Sequence, residues 1–349
     1  MEMEDSENSD LKYLDKLLGP QQLPLIIAVP LNLIYIIIFF VGIIGNLATC
    51  MVTIKNSSMQ NITNYYLFSL AVSDLLLLII GLPIDIMDIW HRYPWQLGSF
   101  FCKLSHYILE MSCNVSVLTI MAFSLERYVA ICHPFRLQGI SGFKRPIIVI
   151  FGCWLTGIIT AIPTALNSIV SSMYYFQGKL ILSEKSALCA TRRFQYPYLE
   201  ISFVVFFLVP MILITILYIK MGLKIHRSTN HTISDQQSIS FESKQLQARK
   251  SIIKMLCAVV VTFFVCWAPF HTQRIYSIYS NYASDELFIL SGLSYYMSTA
   301  ANPILYNVMS TRYRAAFKET ICCISISIKV KKNTDSTKQN ENNISENNV

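Results

Sequence analysis

The chain has 349 residues, of which 53% are hydrophobic and only 14% charged, and its mean hydropathy is +0.45. Soluble globular proteins carry about 25% charged residues, so this composition excludes an ordinary soluble domain and places the protein in a membrane. The net charge of +7 does not argue for nucleic acid, because the basic residues flank apolar runs, where anionic lipid of the inner leaflet accounts for them.

In chain order, residues 1–30 read as an extracellular N-terminal tail, whose first 15 residues hold six acids and no basic, apolar leader, so no cleavable signal peptide is expected. Seven apolar stretches come next, at 31–54, 65–89, 100–130, 146–166, 201–220, 252–275 and 287–309. About 20 residues at a rise of ~1.5 Å cross a hydrocarbon core of ~30 Å, and in lipid only a helix satisfies its own backbone. The predicted fold class is an all-α membrane protein, a seven-transmembrane helix bundle over 31–309. A short amphipathic helix after span 7 (310–323, centred on Tyr313–Ile321) and a disordered cytoplasmic tail (324–349) complete it. Ser228–Lys244, rich in Ser, Gln and Asn without apolar periodicity, reads as a flexible loop between spans 5 and 6.

Of the 28 Lys and Arg residues, 19 fall at or beyond the ends of spans that place them with the carboxyl terminus, and 9 on the other side. The positive-inside tendency puts the amino terminus outside and the carboxyl terminus in the cytoplasm, in a multi-pass plasma-membrane topology. Asn-x-Ser/Thr matches at Asn56, Asn61, Asn230 and Asn343 then lie inside, Asn114 lies within span 3, and none is expected to carry glycan. Most cysteines sit in apolar runs as packing residues. Cys102 and Cys189 alone fall on the outer face, so a Cys102–Cys189 disulfide is the expected pairing. Cys322 and Cys323, just past the amphipathic stretch, fit either acylation or a free thiol pair.

Several residues within the spans are costly or unusual in lipid. Asp74 is the only acid in the middle of a span and needs a partner, whether an ion, water or a polar side chain. Glu110 lies about two turns below Cys102, roughly 12 Å deep at ~1.5 Å per residue. Asp85 and Asp88 close span 2 after Pro83, and Arg274 lies outward of Pro269, near Phe270, Tyr276, Tyr295 and Tyr296. Three acids, one Arg and several rings in one outer cavity would suit a cationic, aromatic-bearing peptide. Glu110 and Arg274 could equally pair with each other and shape the pocket, and the two roles are compatible.

The motifs, taken together, resemble the signature of rhodopsin-like (class A) G-protein-coupled receptors over about residues 30–323. They are Gly45-Asn46, Leu70-Ala71-Val72-Ser73-Asp74, Glu126-Arg127-Tyr128, Trp154, Pro210 with Tyr218, Cys266-Trp267-Ala268-Pro269 and Asn302-Pro303-Ile304-Leu305-Tyr306. The resemblance implies an allosteric sodium ion at Asp74 with Ser116, Ser298 and Asn302, although Ser298 stands where many such receptors have Asn. It also implies that Arg127 pairs with Glu126 in the closed state and is released on activation. Val117, Pro210 and Phe263 would repack beneath the ligand, Trp267 and the bend at Pro269 would transmit the change, and Tyr218, Pro303 and Tyr306 would rearrange at the G-protein end. Leu109 occupies the position where small-amine receptors need an acid, and 287–309 contains no Lys for a retinal Schiff base.

Shorter strings narrow the resemblance to receptors of the neuromedin U, pyrokinin and capa group: Leu82-Pro83-Ile84-Asp85, Ile89-Trp90, Tyr93-Pro94-Trp95-Gln96-Leu97-Gly98, Ser116-Val117-Leu118-Thr119-Ile120 and Glu126–Pro134. Such receptors are expected to bind short amidated peptides whose Arg meets acids at Asp85 and Glu110; ghrelin, motilin, neurotensin and thyrotropin-releasing-hormone receptors share much of the pattern. The expectation is a receptor with an extracellular peptide ligand, a heterotrimeric G protein and membrane lipid as partners, no enzymatic activity, and no cofactor beyond sodium. A transporter, the rival from another class, would line a mid-membrane path with ionisable groups, and only Asp74 lies there.

Overall fold

A computed structural model describes residues 21–133, 144–176, 179–182, 186–192, 197–234, 239–280, 284–309 and 313–320. The expectations for Cys322, Cys323, Asn343, residues 1–20 and the 324–349 tail lie outside these residues; of the expected N-terminal tail, 21–30 is described, and 25–30 already belongs to the first helix. Seven long helices run in order: α1 (Leu25–Lys55), α2 (Ile62–Trp90), α3 (Gly98–Cys132), α4 (Lys144–Asn167), α5 (198–234), α6 (Ile239–Ser280) and α7 (Asp285–Met309). The first six are long and apolar enough to cross a membrane. At 25 residues, α7 spans about 37 Å at ~1.5 Å per residue, though its Ser, Thr, Asn and Tyr content dilutes its hydropathy.

The helices differ in what they cover. α3 is the most buried span and α4 the least, so α3 forms the axis of the bundle while α4 turns Ile148, Phe151 and Leu166 outward. Apolar side chains facing outward are what a lipid solvent requires, and between helices close approach replaces the hydrophobic effect as the source of cohesion. Gly157 shows this: a Cβ there would sit 2.5 Å from Val115 Cγ2 and 3.2 Å from the Val115 backbone nitrogen. At Gly45 the same atom would sit 2.7 Å from Pro303 Cβ, so the two motif residues form one of the close contacts between α1 and α7.

Two features of the spans were not legible as periodicity. α2 widens to a π turn over Leu77–Gly81, with the Leu82 amide bonded to the Leu77 carbonyl, and α5 does so over Val204–Leu208, with Val209 bonded to Val204. Each turn ends two residues before a proline, Pro83 or Pro210. A proline ring crowds the carbonyl four residues back and donates no hydrogen bond; widening the preceding turn accommodates it without breaking the helix.

The segment between α4 and α5 adds four short strands to the expected all-α architecture. β1 (Ser168–Ser171) pairs antiparallel with β4 (Leu188–Thr191), and β2 (Met173–Phe176) with β3 (Lys179–Leu182). Val170 lies opposite Cys189, and the expected Cys102–Cys189 disulfide ties β4 to the start of α3. Ser228–Lys244 also departs from the flexible loop expected of it: α5 stays helical to Ser234 and α6 begins at Ile239. That stretch contains neither Gly nor Pro, the two strongest helix breakers, so helices already nucleated in the membrane propagate into it. Past α7, residues 313–320 form a further helix, α8, which buries Tyr313, Ala316 and Thr320 along one face. The Tyr313 hydroxyl donates to Thr49 Oγ1 at 2.8 Å, fastening α8 to α1.

Candidate functional site

A cavity of about 750 Å³ opens between α3, α4, α5, α6 and α7, with Cys189, Ala190 and Thr191 of β4 in its wall. Glu110, Arg274, Phe270 and Tyr295, all predicted site residues, line it. Glu110 is 3% exposed and bonded to the Arg274 guanidinium, which is 15% exposed. Its other oxygen accepts from Ser202 Oγ at 2.8 Å, and Arg274 lies 4.9 Å from the centre of the Phe270 ring. A buried carboxylate satisfied on both oxygens is tolerable in this setting, and removing either partner leaves an uncompensated group. The sequence left the Glu110–Arg274 pairing open; the structure forms it.

Sequence reasoning missed Ser202, and its position could not have been read from spacing. It precedes the π turn of α5, which offsets the outer end of that helix by one residue from a regular α-helix, a rotation of about 100°. His106, whose Nδ1 lies 2.9 Å from the Cys102 carbonyl, also lines the cavity. Cys102, His106 and Cys189 lie close enough to mimic a metal ligand set, but the two sulfurs are bonded to each other and offer no thiolate.

The expected single acidic cavity is divided. Asp85 and Asp88 line a separate chamber of about 30 Å³ with Tyr35, Arg92, Asp285 and Phe288; Phe288 borders both spaces. The reason is local. Asp85 Oδ2 accepts from the hydroxyls of Tyr295 at 2.5 Å and Tyr296 at 3.0 Å, and Tyr295, which lines the larger cavity, stands between it and this acid. Tyr296 is buried against Tyr35 and lines neither space. At the outer rim Arg92 forms an ion pair with Asp285 at 2.9 Å, joining the segment just after α2 to α7.

Beneath the cavity, Trp267 stacks on Tyr295 at 5.7 Å and contacts Phe263 and Phe270. Val117 and Phe263 belong to the same buried core, and Pro210 is buried beside the π turn of α5. Deeper, Asn302 Nδ2 donates to Asp74 Oδ2 at 2.9 Å, and the hydroxyls of Ser73 and Ser116 lie 2.9 Å apart. Ser298 is buried one turn before Asn302 on α7. Asp74, Ser116, Ser298 and Asn302 offer carboxylate, hydroxyl and amide oxygens, the donor types a small hard cation takes, and among the described residues no basic side chain forms an ion pair with Asp74.

At the far end, the expected Glu126–Arg127 pair does not form. The Tyr66 hydroxyl donates to Glu126 Oε2 at 2.8 Å, while Arg127 lies 5.4 Å from the centre of the Phe123 ring with its Nε unpartnered. Adjacent residues on a helix diverge by about 100° and do not face each other, so a phenol from α2 reaches the carboxylate instead. Tyr128 approaches His133 at 3.4 Å. Tyr218 packs between the buried core of Val117 and Phe263 and a second buried cluster that includes Phe123, Met255 and Tyr306, and Tyr306 meets Tyr313 edge to face at 6.0 Å.

Residues 45–306 match the family described as 7 transmembrane receptor (rhodopsin family). The chain belongs to the rhodopsin family of seven-transmembrane receptors. Among the relatives of this receptor, the pyrokinin-1 receptor of Drosophila melanogaster is 35% identical over 87% of this chain and 82% of its own. The neuromedin-U receptor 2 of Rattus norvegicus is 34% identical over 90% and 80%. The neuromedin U receptor homolog nmur-2 of Caenorhabditis elegans is 35% identical over 84% and 80%. The receptor is a multi-pass membrane protein and not an enzyme, and the large cavity bounded by β4 lies at the opposite end of its bundle from Glu126-Arg127-Tyr128.

Proposed function

We propose that this receptor binds a short amidated neuropeptide of the neuromedin U and pyrokinin type in the large cavity and promotes nucleotide exchange on a heterotrimeric G protein at the opposite end. The buried Glu110–Arg274 pair in the cavity wall carries this reading. A ligand guanidinium can take the carboxylate while the released Arg274 donates to a peptide carbonyl or terminal amide oxygen. Relatives named for pyrokinin and neuromedin U support the ligand class. Phe270 and Tyr295 supply the rings for an aromatic side chain, and Asp85 and Asp88 a second anionic subsite once the phenols above Asp85 move.

In this reading the amino terminus is extracellular, the carboxyl terminus cytoplasmic, and inner-leaflet lipid meets the basic ends of the spans. Asp74, Ser116, Ser298 and Asn302 would hold a sodium ion that favours the closed state. Glu126, Arg127, Tyr128, Tyr218, Pro303 and Tyr306 serve the G-protein face, and a peptide transmits a signal only by binding the open state more tightly than the closed one. The test is a panel of amidated peptides ending in Pro-Arg-x-amide, read as calcium release and as nucleotide exchange in cells expressing the full chain. Silence across the panel at normal surface expression refutes the ligand class.

A further inference from the structure

Tyr295 occupies three environments at once. Its ring lines the large cavity, its hydroxyl is bonded to Asp85 on α2 at 2.5 Å, and its ring is stacked on Trp267 of α6 at 5.7 Å with an interplanar angle of 23°. It is 5% exposed. Tyr296 shares the Asp85 oxygen, but its ring contacts are with Tyr35 and Tyr295. Beyond Trp267, the Phe263 ring lies at 5.7 Å, in the core that contains Val117. Asp85, Tyr295, Trp267 and Phe263 therefore form one continuous line from the outer chamber into the centre of the bundle, crossing from α2 through α7 to α6.

We infer that Tyr295 is the positioning residue that couples occupancy of Asp85 to the packing of Trp267, so that a cationic ligand group reaching Asp85 releases α6. The physical basis is competition for one acceptor. A cation at Asp85 outcompetes a neutral phenol for the carboxylate. A buried hydroxyl deprived of its acceptor is costly and drives the side chain to a new rotamer, and a ring that turns no longer lies flat against the indole. Packed interiors answer such a change by switching between discrete arrangements rather than by deforming smoothly. The hydroxyl bond holds the resting packing, and the stack transmits its loss. The inference rests on the receptor reading above but not on any particular peptide.

The test uses the purified full-length receptor with an environment-sensitive fluorophore on Lys254→Cys, an exposed position on α6 remote from the cavity, in a Cys257→Ser background and without peptide or G protein. Tyr295→Phe keeps the ring and deletes the hydroxyl. It is expected to raise the ligand-free open-to-closed ratio about tenfold, equivalent to ~1.4 kcal/mol. Tyr296→Phe, which removes the other phenol on Asp85 without touching Trp267, is expected to shift it markedly less. In an Asp85→Ala background the Tyr295 substitution should add nothing. An unmoved probe, equal shifts from the two phenols, or additivity with Asp85→Ala overturns the coupling. Should Tyr295→Phe fail to accumulate, Asp85→Ala removes the acceptor instead of the donor and must produce the same shift. An unresponsive peptide panel beside a shifted probe would refute the ligand class and leave the coupling standing.

Discussion

Arg274 of α6 and Glu110 of α3, 164 positions apart in the chain, form a buried ion pair in the wall of the large cavity, with Ser202 of α5 completing the carboxylate's bonding. Three helices are tied at one point that also faces the cavity. Under the proposed function stability and recognition meet in the same groups, and the two can be separated experimentally.

Breaking the pair from either side should cost stability. Arg274→Ala strands a buried carboxylate, a loss of about 3–5 kcal/mol, and Glu110→Ala strands the guanidinium. The double variant Glu110→Gln with Arg274→Met removes both charges and should recover much of the thermal stability in detergent while peptide potency stays low. If potency returned along with stability, the pair would serve only to shape the pocket.

Charge at Asp85 should matter only to a charged ligand. Asp85→Asn keeps an oxygen that accepts a hydrogen bond and removes the charge, so potency for an Arg-containing amidated peptide should fall about tenfold, ~1.4 kcal/mol. The analogue with citrulline in place of Arg should be indifferent to the substitution. Unchanged potency for the Arg peptide in both Asp85→Asn and Glu110→Gln would rule out an acidic subsite.

The Tyr66–Glu126 hydrogen bond, at 2.8 Å, makes a prediction at the other end of the bundle. Tyr66→Phe deletes the donor to a buried carboxylate, which should cost about 1.5–3 kcal/mol, the range for hydrogen bonds to charged groups. Thermal unfolding of the purified receptor should register this as a lowered midpoint. No change would mean that Arg127 takes the vacated place on Glu126 without penalty.

Two glycines of α4 provide a matched pair. A Cβ at Gly157 would collide with Val115, whereas one at Gly152 would meet nothing within 4 Å. Gly157→Ala should force α3 and α4 apart and lower stability by about 1–3 kcal/mol, as overpacking does. Gly152→Ala should be neutral or stabilising by up to ~1 kcal/mol, the helix-propensity gain. Comparable midpoints for the two variants would contradict the close α3–α4 approach.

The sequence alone carried, in its motifs, the resemblance to a receptor family, and it determined the features that the cost of polar groups in lipid imposes, namely the seven spans of a multi-pass membrane protein and the buried acids Asp74 and Glu110 that need partners. These are properties of single segments, and the membrane enforces them segment by segment. The tertiary structure decided the features that depend on rotation and on partners far apart in the chain. The π turns before Pro83 and Pro210 reset the facing of residues such as Ser202, and regular helical periodicity cannot register them. Tyr66 rather than Arg127 meets Glu126, and Tyr295 and Tyr296 both engage Asp85, with Tyr295 standing between it and the large cavity. A carboxylate announces from its type that it needs a partner, but which donor arrives is settled by how neighbouring helices are turned.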